Sequence, residues 1–366
     1  MNMLNKKLIG IDARMIEMSG IGTYIQHLMG HGIYDIALGN EEEIRRYDSD
    51  VKIISYDAPI YSPKEQIGFP NKAVKAAGIS IMHFPHYNVP IIYRGKYVTT
   101  VHDLTHIVLP EFLGGKVKYL YARFLMSQSL SRASHIFTVS ENSKKDIKKY
   151  FNIAEDKISI TYNAIDDDFR VKDKAEIDYL YDKYSIPRNK KLLLYVGNLK
   201  PHKNLSTLLK ALKELNRDDV YLLLVGKAFK SVDLDEQEKQ MGIKDKVIHT
   251  GMVSKEELID FYNLADLFVF PSLYEGFGIP PLEAMACGTP VIAADNSSIP
   301  EVCGDAAVYF NGNAEDELAG KIVKVIDDDA KQNELIRKGK FRSEIFDWQN
   351  AKNEVGGVLD KLTRNL

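Results

Sequence analysis

The chain has 366 residues, 45% of them hydrophobic and 27% charged, the composition of a folded globular protein about two domains long. Forty-eight basic residues stand against 51 acidic ones for a formal charge of −3, so nothing electrostatic marks a dedicated nucleic-acid partner. Two cysteines, Cys287 and Cys303, cannot build a disulfide framework or a cysteine-rich zinc site and read as reduced thiols.

The opening apolar run, 8–11, meets Asp12 and Arg14 and is too short for a signal-peptide core. No stretch approaches the roughly 18 uninterrupted apolar residues of a membrane span. The expectation is a cytoplasmic protein, soluble or peripheral at the membrane face. β-rich runs recur at 8–12, 51–56, 79–84, 97–102, 135–140 and 158–162, then at 191–197, 220–226, 247–250, 267–270, 291–294 and 307–310. Several are unbroken apolar runs, such as Leu-Leu-Leu-Tyr-Val at 192–196, as in parallel strands covered on both faces. Helical spacing separates them; Leu205, Leu208, Leu209, Leu212 and Leu215 share one face. Alternating strand and helix predict a doubly wound α/β architecture. The pattern restarts near 187–190, which divides the chain into 1–187, 188–345 and a final helical stretch within 346–366, opened by Asp347 as N-cap.

Three strings can carry chemistry. Ser19-Gly20-Ile21-Gly22-Thr23-Tyr24 follows the first strand and opens a helix, where glycines permit a tight turn beside an anion. The dinucleotide fingerprint fails because Ile25 stands at the third glycine position, which argues against a nicotinamide dehydrogenase. Gly197-Asn198-Leu199-Lys200-Pro201-His202-Lys203-Asn204 puts two lysines where a strand delivers its loop to the C-terminal sheet edge, the ligand-binding edge of open α/β sheets. Those lysines suit a diphosphate, and they equally suit solvent. The third string is the most specific: Tyr274-Glu275-Gly276-Phe277-Gly278-Ile279-Pro280-Pro281-Leu282-Glu283, then Ala284 to Pro290. Its glycines allow backbone N–H groups to face a ligand, and its prolines suit a helix start. Glu275 and Glu283, with seven residues between them, can address different parts of one polar ligand, and a carboxylate accepts hydrogen bonds from paired ribose hydroxyls.

Taken together, Tyr195 to Leu205, the Glu275…Glu283 pair and Glu283 to Ile292 resemble the donor-binding domain of retaining GT-B glycosyltransferases of glycosyltransferase family 4. Ile11-Asp12-Ala13-Arg14, Ser19 to Gly22 and Val101-His102-Asp103 match more loosely. The resemblance implies two facing Rossmann-like domains, an N-terminal acceptor domain and a C-terminal donor domain, with the last helix crossing back to the first. It implies a hexosyltransferase that takes a nucleotide-diphosphate sugar, here expected to be GDP-mannose, and glycosylates a glycan or lipid-linked acceptor in cell-surface polysaccharide or lipopolysaccharide synthesis. It implies that Glu283 holds ribose, and that Glu275 with the amides of Gly276, Phe277, Gly278 and Ile279 lies against sugar and phosphate. Lys203 would neutralise the diphosphate, with Gly20 and Gly22 closing over it. His102 and Asp103 would flank the transferred sugar, and Val253 would present backbone to the base. The family often has Arg after the strand-ending glycine. Asn198 stands there instead, leaving the second cation to Lys200 or His202. No metal or other cofactor is expected. A GT-B nucleotide-sugar epimerase or a non-catalytic nucleotide-sugar-binding protein are the alternatives.

Other signals have plainer readings. The acid runs 166–168 and 327–329 read as solvated turn residues rather than metal ligands. Seven of nine histidines precede residue 136, and His83 with His86 lacks an evident third ligand. Cys287 reads as a small core residue, and Ser254 with Glu257 as a capping box. The segment 116–132 mixes Lys116, Lys118, Arg123 and Arg132 with Tyr119, Leu120, Tyr121, Phe124, Leu125 and Met126. It reads as a helix packed on the first domain, the alternative being a peripheral membrane contact.

Overall fold

The computed structural model describes residues 7–227 and 232–365. The chain forms two compact units, 1–163 with 348–366, and 164–347.

In the first unit, β1 (Leu8–Asp12), β2 (Ile36–Gly39), β3 (Lys52–Ser55), β4 (Ile79–Phe84), β5 (Tyr97–Val101), β6 (His135–Thr138) and β7 (Ile158–Ile160) make one sheet. Its order is β3-β2-β1-β4-β5-β6-β7, and its pairings are parallel. Parallel strands covered by crossover helices lose water on both faces, which is why every residue of β5 is buried. The final helix, Trp348–Arg364, buries Trp348, Ala351, Val355 and Leu359 and packs on helix Ser19–Leu28 and on β4 and β7. Trp348 stacks on His27 with ring centroids 4.3 Å apart.

The second unit holds β8 (Lys191–Asn198), β9 (Val220–Lys227), β10 (Val247–Gly251), β11 (Leu267–Phe270), β12 (Val291–Ala294) and β13 (Ala307–Phe310), in the order β10-β9-β8-β11-β12-β13. Its pairings are also parallel. Helix Leu205–Leu215 buries the Leu205, Leu208, Leu209 and Leu212 stripe expected from its spacing, against helix Glu315–Ile326. In each sheet the chain reverses its direction of travel once, between β1 and β4 and between β8 and β11. In open sheets of this kind, ligand binds outside the C-terminal ends of the strands at such a reversal.

The division between units falls at 163/164, not at the expected 187/188, and the return falls at 347/348. Side-chain pairing explains the difference. Asp260 accepts hydrogen bonds from Lys172 and, at 2.8 Å, from Tyr179, while Glu257 accepts from Lys183 and Tyr184. Leu180 is fully buried beside them. The charged stretch that read as a linker is therefore a strap on the second unit.

Candidate active site

In the second unit, the loop after β8 and the loop after β11 meet at the point of reversal. Lys203 Nζ lies 2.7 Å from Glu275 Oε1, with the two side chains 21% and 13% exposed. The ammonium also lies 5.9 Å from the centroid of the Phe270 ring. Asn204 fixes Lys203 in place. It holds the left-handed backbone at φ 55°, which Asn tolerates better than most residues. Its buried amide donates to the carbonyls of Pro271 at 3.1 Å and Gly312 at 2.6 Å, and its oxygen accepts from the Thr207 hydroxyl. One side chain thus ties the loops after β8, β11 and β13 together. Asn198 Oδ1 accepts from the Lys200 N–H at 3.1 Å, closing the turn and leaving Lys200 exposed.

Two serines outside the expected motif hold the glycine-rich segment. The Glu275 N–H donates to Ser297 Oγ at 2.9 Å, and buried Ser298 Oγ reaches the carbonyls of Glu275 and Phe277 at 3.0 and 2.8 Å. Gly278 takes φ 98°, open to glycine and strained for other residues, and begins helix Ile279–Ala286. Pro280 and Pro281 bring no N–H to that first turn, so the donors at this end are few and fixed.

Glu283, on the same helix, accepts from Tyr262 OH at 2.7 Å. Burial pushes its carboxyl up to about 7, the tyrosine hydrogen bond working against the rise. Such a group carries its charge only in part near neutral pH, and hydroxyls that donate to it favour the ionised form. Val253 follows Gly251, and Ser254 with Glu257 forms the expected capping box on helix Lys255–Leu264. Tyr262, Ser297 and Ser298 had no local sequence signal, because each acts on a residue about 20 positions or more away in the chain.

In the first unit, His102 follows β5, donates from Nε2 to the Pro85 carbonyl at 2.9 Å and meets the Tyr24 ring edge-on at 4.9 Å. Burial lowers it to about 4, so the ring is neutral at pH 7 with its proton on Nε2. Although desolvation alone would raise it, Asp103 is held below its ordinary range by hydrogen bonds from Thr105, with His106 and His102 adding to them. Gly20 is exposed, with nothing near the position of a Cβ, whereas a Cβ on Gly22 would lie 2.5 Å from the Ile16 carbonyl. Gly22 is therefore fixed by close packing at the helix start.

At the reversal between β1 and β4 lies a network in which Asp12 and Arg14 of the first-strand motif meet Glu65, Tyr56, Tyr61 and Asn88, which no motif marked. Arg14 makes a fork to Asp12 at 2.9 and 2.7 Å and a third contact to Glu65 at 2.8 Å, with Tyr56 beneath its guanidinium. Asn88 and the Tyr61 N–H also donate to Glu65. The histidines nearby are satisfied by neutral partners. His83 bonds Tyr34 and Thr100, and His86 bonds Tyr61 and the Asn88 N–H. Burial lowers both to about 3.

The acid runs are engaged as structural groups. Lys255 bridges Asp166 and Asp168 at 2.7 and 2.8 Å, Arg217 pairs with Asp327, and Asp328 caps a helix. Among the described residues, no three His, Cys, Asp or Glu side chains cluster as metal ligands. Cys287 and Cys303 are buried, as expected of core thiols.

Two parallel Rossmann-like sheets, with the Lys203–Glu275 pair at the reversal of the second, define the GT-B class of glycosyltransferase. Anabaena HepE, solved with UDP and glucose, shares this fold with a TM-score of 0.77 at 19% identity, covering 97% of this chain and all of that one. Residues 178–342 match the glycosyl transferases group 1 family and residues 34–169 match glycosyltransferase family 4. The chain is 33% identical over 279 residues to O-antigen chain mannosyltransferase B of Escherichia coli, covering 75% of this chain and 72% of the relative. It is 31% identical over 274 residues to O-antigen chain mannosyltransferase RfbU of Salmonella typhimurium, covering 75% and 71%. The protein belongs to glycosyltransferase family 4. No described helix is long and apolar enough to cross a membrane.

Proposed function

We propose that the protein transfers mannose from GDP-mannose, with retention at the anomeric carbon, to a hydroxyl of a growing lipid-linked glycan of the O-antigen type. The observation that carries this reading is the Lys203–Glu275 pair at the β8/β11 reversal, 2.7 Å apart and mostly desolvated. The names of the two mannosyltransferase relatives support the choice of sugar.

A nucleoside diphosphate is a good leaving group, so the demand on the protein is to stabilise charge on the departing phosphate and to position the acceptor. Lys203 has three N–H donors and can hold Glu275 while turning another toward the β-phosphate. Glu275 accepts from sugar hydroxyls, and Glu283 accepts from the ribose. The second unit is then the donor domain and the first the acceptor domain. The bond from the anomeric carbon to the β-phosphate oxygen breaks as the acceptor oxygen bonds on the same face, and the acceptor proton passes to the departing phosphate. Lys203 and main-chain amides supply the charge neutralisation, so no metal takes part.

The test is transfer from GDP-mannose to a synthetic mannoside bearing a hydrophobic tail, with the product's anomeric configuration read by NMR. An α-linked product, lost in Lys203→Ala, is expected. A β-linked product would contradict retention, and donor turnover without acceptor would favour an epimerase.

A further inference from the structure

Tyr61 stands in the loop after β3, which leaves the first sheet at the same edge as the loops holding Arg14, His86 and Asp103. Its backbone takes φ 63°, the left-handed region that a bulky aromatic residue occupies only under constraint. Two contacts supply that constraint. The Tyr61 N–H donates to Glu65 Oε2 at 2.9 Å, and Glu65 is itself buried and held by Arg14 and Asn88. The Tyr61 hydroxyl lies 3.0 Å from His86 Nε2. His86 Nδ1 accepts the Asn88 N–H at 3.2 Å and the ring is neutral, so its proton sits on Nε2 and is donated to the Tyr61 oxygen. Held at both ends, Tyr61 is nonetheless 57% exposed. A strained backbone anchored to a buried ion-pair network gains nothing in core packing by holding an aromatic ring in water. Conflicts of that kind cluster at functional sites.

The groups around the ring select an uncharged ligand. The Arg14 guanidinium is occupied by Asp12, Glu65 and the Ala58 carbonyl, and His86 and His102 are neutral, so none of these offers a free cation to a phosphate. Asp103 is exposed and offers a carboxylate to hydroxyl donors. Desolvation of the Tyr61 hydroxyl and the nearby Asp103 charge push the phenol up to about 12, so it stays protonated. A pyranose ring matches this mixture, because the C–H bonds of one face stack on an aromatic ring while the hydroxyls at its rim reach a carboxylate. We propose that Tyr61 is the platform on which the terminal sugar of the glycan acceptor stacks, with Asp103 at its hydroxyl rim. The inference rests on the transferase reading and names the residue by which the first unit recognises its acceptor.

A ligand-observed NMR titration with octyl α-mannoside, without nucleotide, tests it alongside transfer kinetics. Tyr61→Phe keeps the ring and should bind the mannoside within about threefold of the wild type, while Tyr61→Leu, which has no π face, should lose about tenfold. Tyr61→Asn is the sharper variant. Asn accepts φ 63° more readily than Tyr, so the protein should melt near the wild type, yet affinity for the mannoside should fall about tenfold or more. In transfer, KM for the mannoside should rise by the same factor while kcat and the affinity for GDP stay near wild type, the pattern of lost uniform binding. If Tyr61→Asn fails to fold, Tyr61→Leu decides. Absence of mannoside binding by the wild type, wild-type affinity in a folded variant that lacks the ring, or a loss in Tyr61→Phe as large as in Tyr61→Asn overturns the proposal. A wild type that binds the mannoside through Tyr61 but transfers nothing from GDP-mannose would contradict the transferase reading and leave the platform standing.

Discussion

Replacing Glu283 with Gln should stabilise the protein above pH 7 and weaken its hold on nucleotide. The native carboxyl titrates near 7, against an ordinary value of 4.5 that the unfolded chain recovers. Between those values the folded state holds a proton that the unfolded state releases, so this group's contribution falls as pH rises through that window. The penalty is absent below about pH 4.5 and complete above about pH 7, with a ceiling near 3 kcal/mol at about 1.4 kcal/mol per pH unit. Glu283 keeps some exposure, and Tyr262 at 2.7 Å offers its hydroxyl to the ionised form, so about 1–2 kcal/mol is the expected realised amount. Gln is close in shape, keeps an acceptor for Tyr262 and carries no charge. Calorimetric unfolding of both proteins at pH 5 and pH 8 should show near equality at the lower pH and a more stable variant at the higher. For GDP the order reverses, because a neutral amide accepts from ribose hydroxyls less strongly than a carboxylate, by about 1.5–3 kcal/mol or roughly ten- to a hundredfold in Kd. A stability difference of the same size at both pH values would refute the reasoning about Glu283.

Three further substitutions probe the geometry. Lys203→Ala should lower kcat/KM by about 10²- to 10³-fold, the scale of losing one preorganised group on a developing anion, while the protein stays folded. Near-wild-type kinetics in that variant would remove Lys203 from the charge-stabilising role. Asn204→Ala strips donors from the Pro271 and Gly312 carbonyls in a buried place and should cost about 2–4 kcal/mol in denaturant unfolding. Asn204→Gly should recover only the backbone share of that loss. Arg14→Met leaves the Asp12 and Glu65 carboxylates without their cation and should destabilise the first unit by about 3–5 kcal/mol, read as a lowered melting temperature. A loss below about 1 kcal/mol would mean that the network is well solvated. Since no metal takes part in the proposed chemistry, transfer should persist undiminished in a chelator; a loss restored by a divalent cation would contradict that part.

Much of the architecture was legible because buried parallel strands must be apolar throughout, and runs such as 192–196 and 221–225 announce themselves. Ile36–Gly39 was not, since Ile-Ala-Leu-Gly is short and carries one β-branched residue; it becomes a strand through its pairing with β1 and β3. The unit boundary was misplaced because charged residues read as a linker, and their partners Glu257 and Asp260 lie about 70 or more positions further along the chain. Lys203 and Glu275 were legible one at a time, as residues of loops that follow strands and through the family resemblance; their pairing across the reversal was not. Tyr262 and Ser298, which bond Glu283 and brace the glycine-rich loop, were not, because a hydroxyl has no periodicity and its partner is fixed only by the fold. Helix Lys116–Arg132 shows the same limit. Its composition displays cations and apolar residues, but only tertiary packing decides which apolar residues are covered.

Ligand-dependent thermal unfolding across GDP, GDP-mannose, UDP-glucose and a nicotinamide dinucleotide tests the donor assignment most directly, since a true donor stabilises only the native state. At about 100 times Kd the gain is about 2.7 kcal/mol. GDP-mannose and GDP should raise the melting temperature, and the same ligands should do little for Glu283→Ala. Stabilisation by the nicotinamide dinucleotide alone, or an equal response of wild type and Glu283→Ala to GDP-mannose, would contradict the assignment.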